Sequence, residues 1–129
     1  MKYRLTHFFQ NALRRPQRPV QRREPRMYVL VRSDLPAGLQ AAQACHAASY
    51  LSASNPLALY QHPTTIVLAV NGEDELLLEM GRYQRKPWDP EGRLFREPDL
   101  GGAATAFACY TDGYEYDHLP LALKENNVN

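Results

Sequence analysis

A compact α/β layer fold with a small mixed sheet is predicted by three observations. Two strand-sized apolar runs, Met27–Arg32 and Thr64–Val70, are each followed by a helical pattern. Two further short runs, Leu94–Glu97 and Ala104–Tyr110, close the series. Pro and Gly cluster at the junctions, so the element order reads strand–helix–strand–helix–strand–strand.

Met27–Arg32 is continuously apolar up to its last residue, as a strand covered on both faces must be. Pro36 and Gly38 mark a connector, and a helix is expected from about Leu39 to Leu51, its many alanines allowing close approach to a sheet. Ser52–Pro63, containing Asn55-Pro56 and His62-Pro63, reads as loop or broken helix. Thr64–Val70 is β-branched and aliphatic. Asn71 then reads as an N-cap, with Glu73, Asp74 and Glu75 complementing the dipole of a helix that reaches Tyr83 or Gln84. Leu76, Leu77 and Met80 form its core face. Arg85–Gly92, with Pro87, Trp88 and Pro90, is a loop; Trp88 suits either a lid over the core or a surface that stacks a base. Pro98 and Gly101-Gly102 separate the last two strands, and after Gly113 the aromatic, acidic tail has no periodicity.

Charge divides the 129 residues into a basic Pro-rich N-terminal arm, 1–26, and a globular domain, 27–129. The arm carries eight Lys or Arg against Glu24 alone, a net of +7, and the remainder seven basic against thirteen acidic residues, a net of −6. Residues 2–15 read as a weakly amphipathic helix and 16–26 as an extended linker. Such an arm suits RNA or an acidic protein surface, or is simply a solvated tail. Its first 23 residues contain no acid, so an organelle-targeting leader is an alternative to a cytoplasmic location, with a mitochondrial address the specific case. No run approaches the roughly 20 apolar residues a membrane span needs. Cys45 and Cys109 match neither a disulfide framework nor a zinc spacing, and each is expected to be a small buried hydrophobe in a reducing compartment.

The chemistry concentrates near the first strand. Gln43 and His46 are three residues apart on one helix, hence on one face. An ordinary imidazole titrates near pH ~6.5 and can take or give a proton, while an amide can orient water or a backbone. Equally, His46 packs against a carbonyl and Gln43 closes a loop. Cys45-His46 is no thiol–base pair, because adjacent helical residues diverge by roughly 100°. Arg32 and Asp34 end the first strand, where a guanidinium can fork onto a phosphate or simply pair with Asp34 as a turn residue. Arg96, Glu97 and Asp99 end the third strand beside a Gly-rich turn; Glu97 can serve a water or pair with Arg96, and Asp99 can fix the turn. The sequence contains no phosphate loop, dinucleotide fingerprint or metal-ligand spacing, and no cofactor is expected. His7, His62 and His118 are scattered.

The run Val29-Leu-Val-Arg-Ser-Asp-Leu, followed by Gly38-Leu-Gln-Ala-Ala-Gln-Ala-Cys-His-Ala47, resembles the type 2 (archaeal/eukaryotic-type) peptidyl-tRNA hydrolase family. The likeness spans roughly 27–110 in element order and is most specific over 28–48. It is nearest the divergent peptidyl-tRNA hydrolase domain-containing branch. It implies a three-layer fold, a four-stranded mixed sheet between helices, and hydrolysis of the ester joining a peptide to tRNA without a metal. Glu97 or His46 would handle the proton, and Gln43 would orient water or the peptide backbone. Arg32, Asp34, Arg96 and Thr105 would meet the substrate, the arginines through phosphates. Two departures stand out. Leu39 occupies the position of a family lysine, and Glu97-Pro-Asp-Leu-Gly replaces Asp-Ala-Gly-x-Thr. Losing one charge-stabilising donor typically costs ~10²–10³-fold in rate. The alternative expectation is therefore a non-catalytic RNA- or protein-binding module that its basic arm holds in a larger assembly; a homodimer or larger complex is a separate expectation. The hydrolase reading requires His46 and Glu97 to lie on the same side of the sheet.

Overall fold

The computed structural model describes residues 24–56, 63–84 and 92–124. The helix expected over 2–15, the linker up to residue 23 and the Trp88 loop lie outside them. Four strands, β1 (Arg26–Arg32), β2 (Thr64–Val70), β3 (Arg93–Glu97) and β4 (Ala103–Thr111), form one sheet in the order β2-β1-β4-β3. β1 and β2 run parallel through a helical crossover, whereas β4 is antiparallel to both β1 and β3. The small mixed sheet is therefore as expected, and each strand lies within a residue of its predicted bounds.

Helix α1 (Ala37–Ser54) covers one face and helix α2 (Glu73–Gln84) the other. Alternation along β1 divides the core. Met27, Val29 and Val31 meet Ala44, Ala47 and Leu51 of α1 together with Ala106 and Ala108 of β4. Tyr28 and Leu30 meet Leu76 and Tyr83 of α2 with Phe107 and Cys109. Alanines on both sides of the α1 interface let the helix backbone approach the sheet. That choice places Gln43 within hydrogen-bond reach of β3 and β4.

Several local differences have physical reasons. α1 begins two residues earlier than predicted, because the Pro36 carbonyl accepts the Gln40 backbone N–H at 2.9 Å and Pro36, having no N–H, leaves no donor unsatisfied there. The buried Gln40 side chain donates to the Leu35 carbonyl at 2.6 Å, closing the connector from inside. Asn71 is not the cap of α2. The first helical bond runs from Leu76 to Gly72, and the Glu75 carboxylate reaches back to the Asn71 N–H at 2.7 Å. Cys109 is buried, but Cys45 is exposed, facing away from the sheet on α1. The aperiodic tail is a strap: Tyr116 is fully buried against the α2 side, and Leu121 makes an antiparallel bridge to Leu68 on the β2 edge.

β3 and β4 also fall out of step. Phe95 pairs with Ala106 but Arg96 pairs with Ala104, so Thr105 is an extra residue in β4, a β-bulge.

Candidate functional site

The bulge builds the site. Thr105 has its hydroxyl turned to the α1 face and is fully buried; it donates to Gln43 Oε1 at 2.6 Å. The Gln43 amide, itself 1% exposed, donates from Nε2 to Glu97 Oε2 at 2.8 Å. Glu97 is the last residue of β3 and caps the 3₁₀ turn Pro98–Leu100, its Oε1 accepting the Asp99 N–H at 3.2 Å. Gly101 and Gly102 take the positive φ angles that return the chain into β4, so the Gly pair serves the turn. Hydroxyl, amide and carboxylate form one directed relay from the buried bulge to the half-buried strand tip.

The relay sets the charge of Glu97. Donation by Gln43, then by the Asp99 amide, holds the carboxyl below the usual range; partial burial opposes them and the nearby His46 adds to them. His46 is exposed and stacks on Phe95, ring centres 4.7 Å apart at 21°. Phe95 precedes Glu97 by two residues and shares its strand face. Gln43, His46, Glu97 and Thr105 thus lie on the α1 side of the sheet, with the imidazole within electrostatic reach of an ionised carboxylate.

Arg32, Asp34 and Arg96 are not part of that cluster. Strand alternation turns Arg32 to the α2 side, where Nε and Nη2 fork onto Asp34 at 3.0 and 2.8 Å and Nη1 donates to the Ala104 carbonyl at 3.2 Å. The pair lowers the Asp34 carboxyl and raises the Arg32 guanidinium from their ordinary values. Glu73 joins it by accepting the Ala104 N–H, tying the start of α2 to β4. Arg96 also faces the α2 side and donates to the Gly102 carbonyl at 3.2 Å rather than pairing with Glu97. Both arginines serve the fold where they stand.

Phe95 was not singled out in the sequence, and although Asp99 reads there as a turn residue and Glu73 as a helix-dipole residue, their contacts with Glu97 and Ala104 were not expected. Period-two spacing from Glu97 could have found Phe95; the other two contacts depend on tertiary placement. A second polar group also escaped notice. Glu79, 4% exposed on α2, contacts His118 Nε2 at 2.9 Å and Arg82 Nε at 3.1 Å, and its carbonyl accepts the Tyr116 hydroxyl at 2.8 Å. Burial pushes the Tyr116 phenol far above its ordinary value. This group pins the strap to α2.

Among the described residues no cluster of three or more His, Cys, Asp or Glu is placed to hold a metal, and no helix is long and apolar enough to cross a membrane. Fold and site together define a small three-layer α/β protein with a carboxylate–amide–hydroxyl relay ending beside an exposed, stacked imidazole. The chain matches no protein-family model, and a search of curated proteins likewise finds no match.

Proposed function

We propose that the chain hydrolyses the ester joining a peptide to the terminal ribose of tRNA. The observation that carries this reading is the convergence of His46 and an ionised Glu97 on one side of the sheet, beside the turn that ends β3. Ester hydrolysis needs a group that takes a proton from water and loses it again near neutrality. A carboxyl held below its usual range is a poor base, so the proton goes to His46, and Glu97 stabilises the resulting imidazolium. Gln43 is buried and committed at both ends of its amide, which makes it a positioning residue for Glu97 rather than a ligand for water. Thr105 acts through Gln43 in the same way. The position of the family lysine is Leu39, in the first turn of α1, so the oxyanion would lack that cation and turnover would be slow.

The test is cleavage of a peptidyl-tRNA by the full chain and by its His46→Ala and Glu97→Gln variants. Loss of a general base typically costs ~10²–10⁴-fold. A parent that cleaves no faster than buffer, or a His46→Ala variant that cleaves as fast as the parent, refutes the proposal.

A second reading follows from the commitments of Arg32 and Arg96. With both tied on the α2 side, phosphate contact falls to the basic arm, and a chain that binds tRNA through that arm without cleaving it is a binding module. Salt-dependent tRNA binding by a parent without hydrolytic activity would establish it.

A further inference from the structure

The two edges of the sheet are treated differently. On β2 the C-terminal strap closes the edge, with the Ala69 N–H donating to the Pro120 carbonyl at 2.8 Å and the Ala122 N–H to the Val67 carbonyl at 2.9 Å. β3 is the opposite edge, and among the described residues no segment pairs with its outer side. An open edge presents unpaired N–H and C=O groups that can accept another strand.

Which groups face outward follows from β4. The Ala104 carbonyl accepts from the Arg32 side chain of β1, so the Ala104 main chain is turned toward β1 and away from its β3 partner, Arg96. The Glu97 carbonyl, by contrast, is taken by the Gly102 N–H at 3.0 Å. Main-chain polar groups alternate sides along an antiparallel strand. Phe95 and Glu97 therefore face β4, while the N–H and C=O of Leu94 and Arg96 face outward. The extra residue at Thr105 belongs to β4 and leaves this alternation in β3 intact. Leu94 packs its side chain on the α2 side, so the outward surface at these positions is main chain.

We infer that the outer edge of β3 binds the peptide portion of the substrate as an added strand, its C-terminal ester at the Glu97 end beside His46. The inference rests on the proposed hydrolysis for the identity of the ligand, and it adds where and how the peptide is held. The five residues of β3 span about 16 Å at roughly 3.3 Å each, enough for four or five extended peptide residues. Placing the ester at Glu97 makes the peptide run parallel to β3. Recognition through main-chain hydrogen bonds is indifferent to side chains, which suits an enzyme acting on peptides of any sequence.

The experiment compares peptidyl-tRNAs carrying one to six residues, with single N-methyl groups on successive peptide nitrogens, cleaved by the full chain. KM should fall as the peptide lengthens to about four residues and then level off. N-methylation at alternate nitrogens should raise KM about tenfold, the worth of one hydrogen bond near 1.4 kcal/mol, and at the intervening nitrogens much less. Cleavage indifferent to length and to the position of methylation overturns the inference while leaving the hydrolase reading intact. If no substrate is cleaved, the hydrolase reading fails by itself, and amide exchange decides the edge. With an N-acetylated tetrapeptide amide added to the full chain, slower exchange at Leu94 and Arg96 upholds strand addition, and unchanged exchange overturns it.

Discussion

Replacing Thr105 by valine removes one donor and almost no volume, which isolates the head of the relay. Thr105 Oγ1 donates to Gln43 Oε1 at 2.6 Å, both residues are within 1% of full burial, and valine suits the strand conformation. The variant leaves the Gln43 carbonyl oxygen buried without a donor, at a cost of ~1–3 kcal/mol. Turning the amide over brings no relief, because Oε1 would then face the Glu97 carboxylate that now accepts Nε2 at 2.8 Å. For a domain of this size each 1 kcal/mol lowers the melting temperature by about 4–8 °C. The Glu97 carboxyl should also move up toward its ordinary range, since a less firmly oriented amide donates less well. Thr105→Ser keeps the hydroxyl and loses a methyl group, so it should lose some stability without moving Glu97. Denaturation midpoints and carbon-detected titration of the Glu97 carboxyl read the two effects separately. A Thr105→Val protein as stable as the parent, with Glu97 titrating where it does in the parent, would refute the relay.

Four further expectations follow from single contacts. Gln43→Leu removes the largest influence holding Glu97 down, so its carboxyl should rise. Because the folded-state value is depressed, the stability linked to Glu97 is present above the unfolded carboxyl value and lost as pH falls through the folded one; the acid-unfolding curve of Gln43→Leu should therefore be flatter in that window. His118→Ala leaves the buried Glu79 carboxylate short of a partner at 2.9 Å, and should cost about 1–3 kcal/mol and speed exchange of the Ala69 and Ala122 amides that the strap holds. Gly92→Ala puts a Cβ into the Phe107 ring, which is fully buried and cannot retreat; overpacking of ~1–3 kcal/mol should appear in the urea midpoint. Deleting residues 1–25, which stops short of β1, should flatten the dependence of tRNA affinity on salt, since they carry a net charge of +6, and an unchanged slope would exclude them from binding.

The elements were legible because burial imposes periodicity. A strand between two helices must be apolar throughout, as Val29, Leu30 and Val31 are, and helix α2 announces itself through Glu73, Asp74 and Glu75 followed by Leu76 and Met80. The pairing of Gln43 with Glu97 was visible only as a shared end of the sheet. Alternation along β3 alone separates Arg96 from Glu97, but that Arg32 also lies opposite was not visible, because which face of β1 meets α1 is settled by tertiary packing. The strap was missed for a similar reason: Tyr116 is buried by a tertiary contact in a segment without repeat.

The bulge at Thr105 explains why register mattered most. β4 reads Ala-Ala-Thr-Ala-Phe-Ala-Cys-Tyr-Thr, with no glycine or proline to mark an irregularity, and strict alternation from Phe107 would send Thr105 to the α2 side with Cys109. One extra residue instead leaves Ala106 on the α1 side and turns the Thr105 hydroxyl to that side as well. The same insertion keeps Ala104 on the α2 side, available to Arg32 and Glu73. A single unpaired position therefore supplies both polar groups with the partners they need. It orients the Gln43 amide on one face and leaves the arginine clamp undisturbed on the other. Without the bulge, a hydroxyl and a methyl group would exchange faces, and the Gln43 oxygen would be buried without a donor while its N–H still met Glu97.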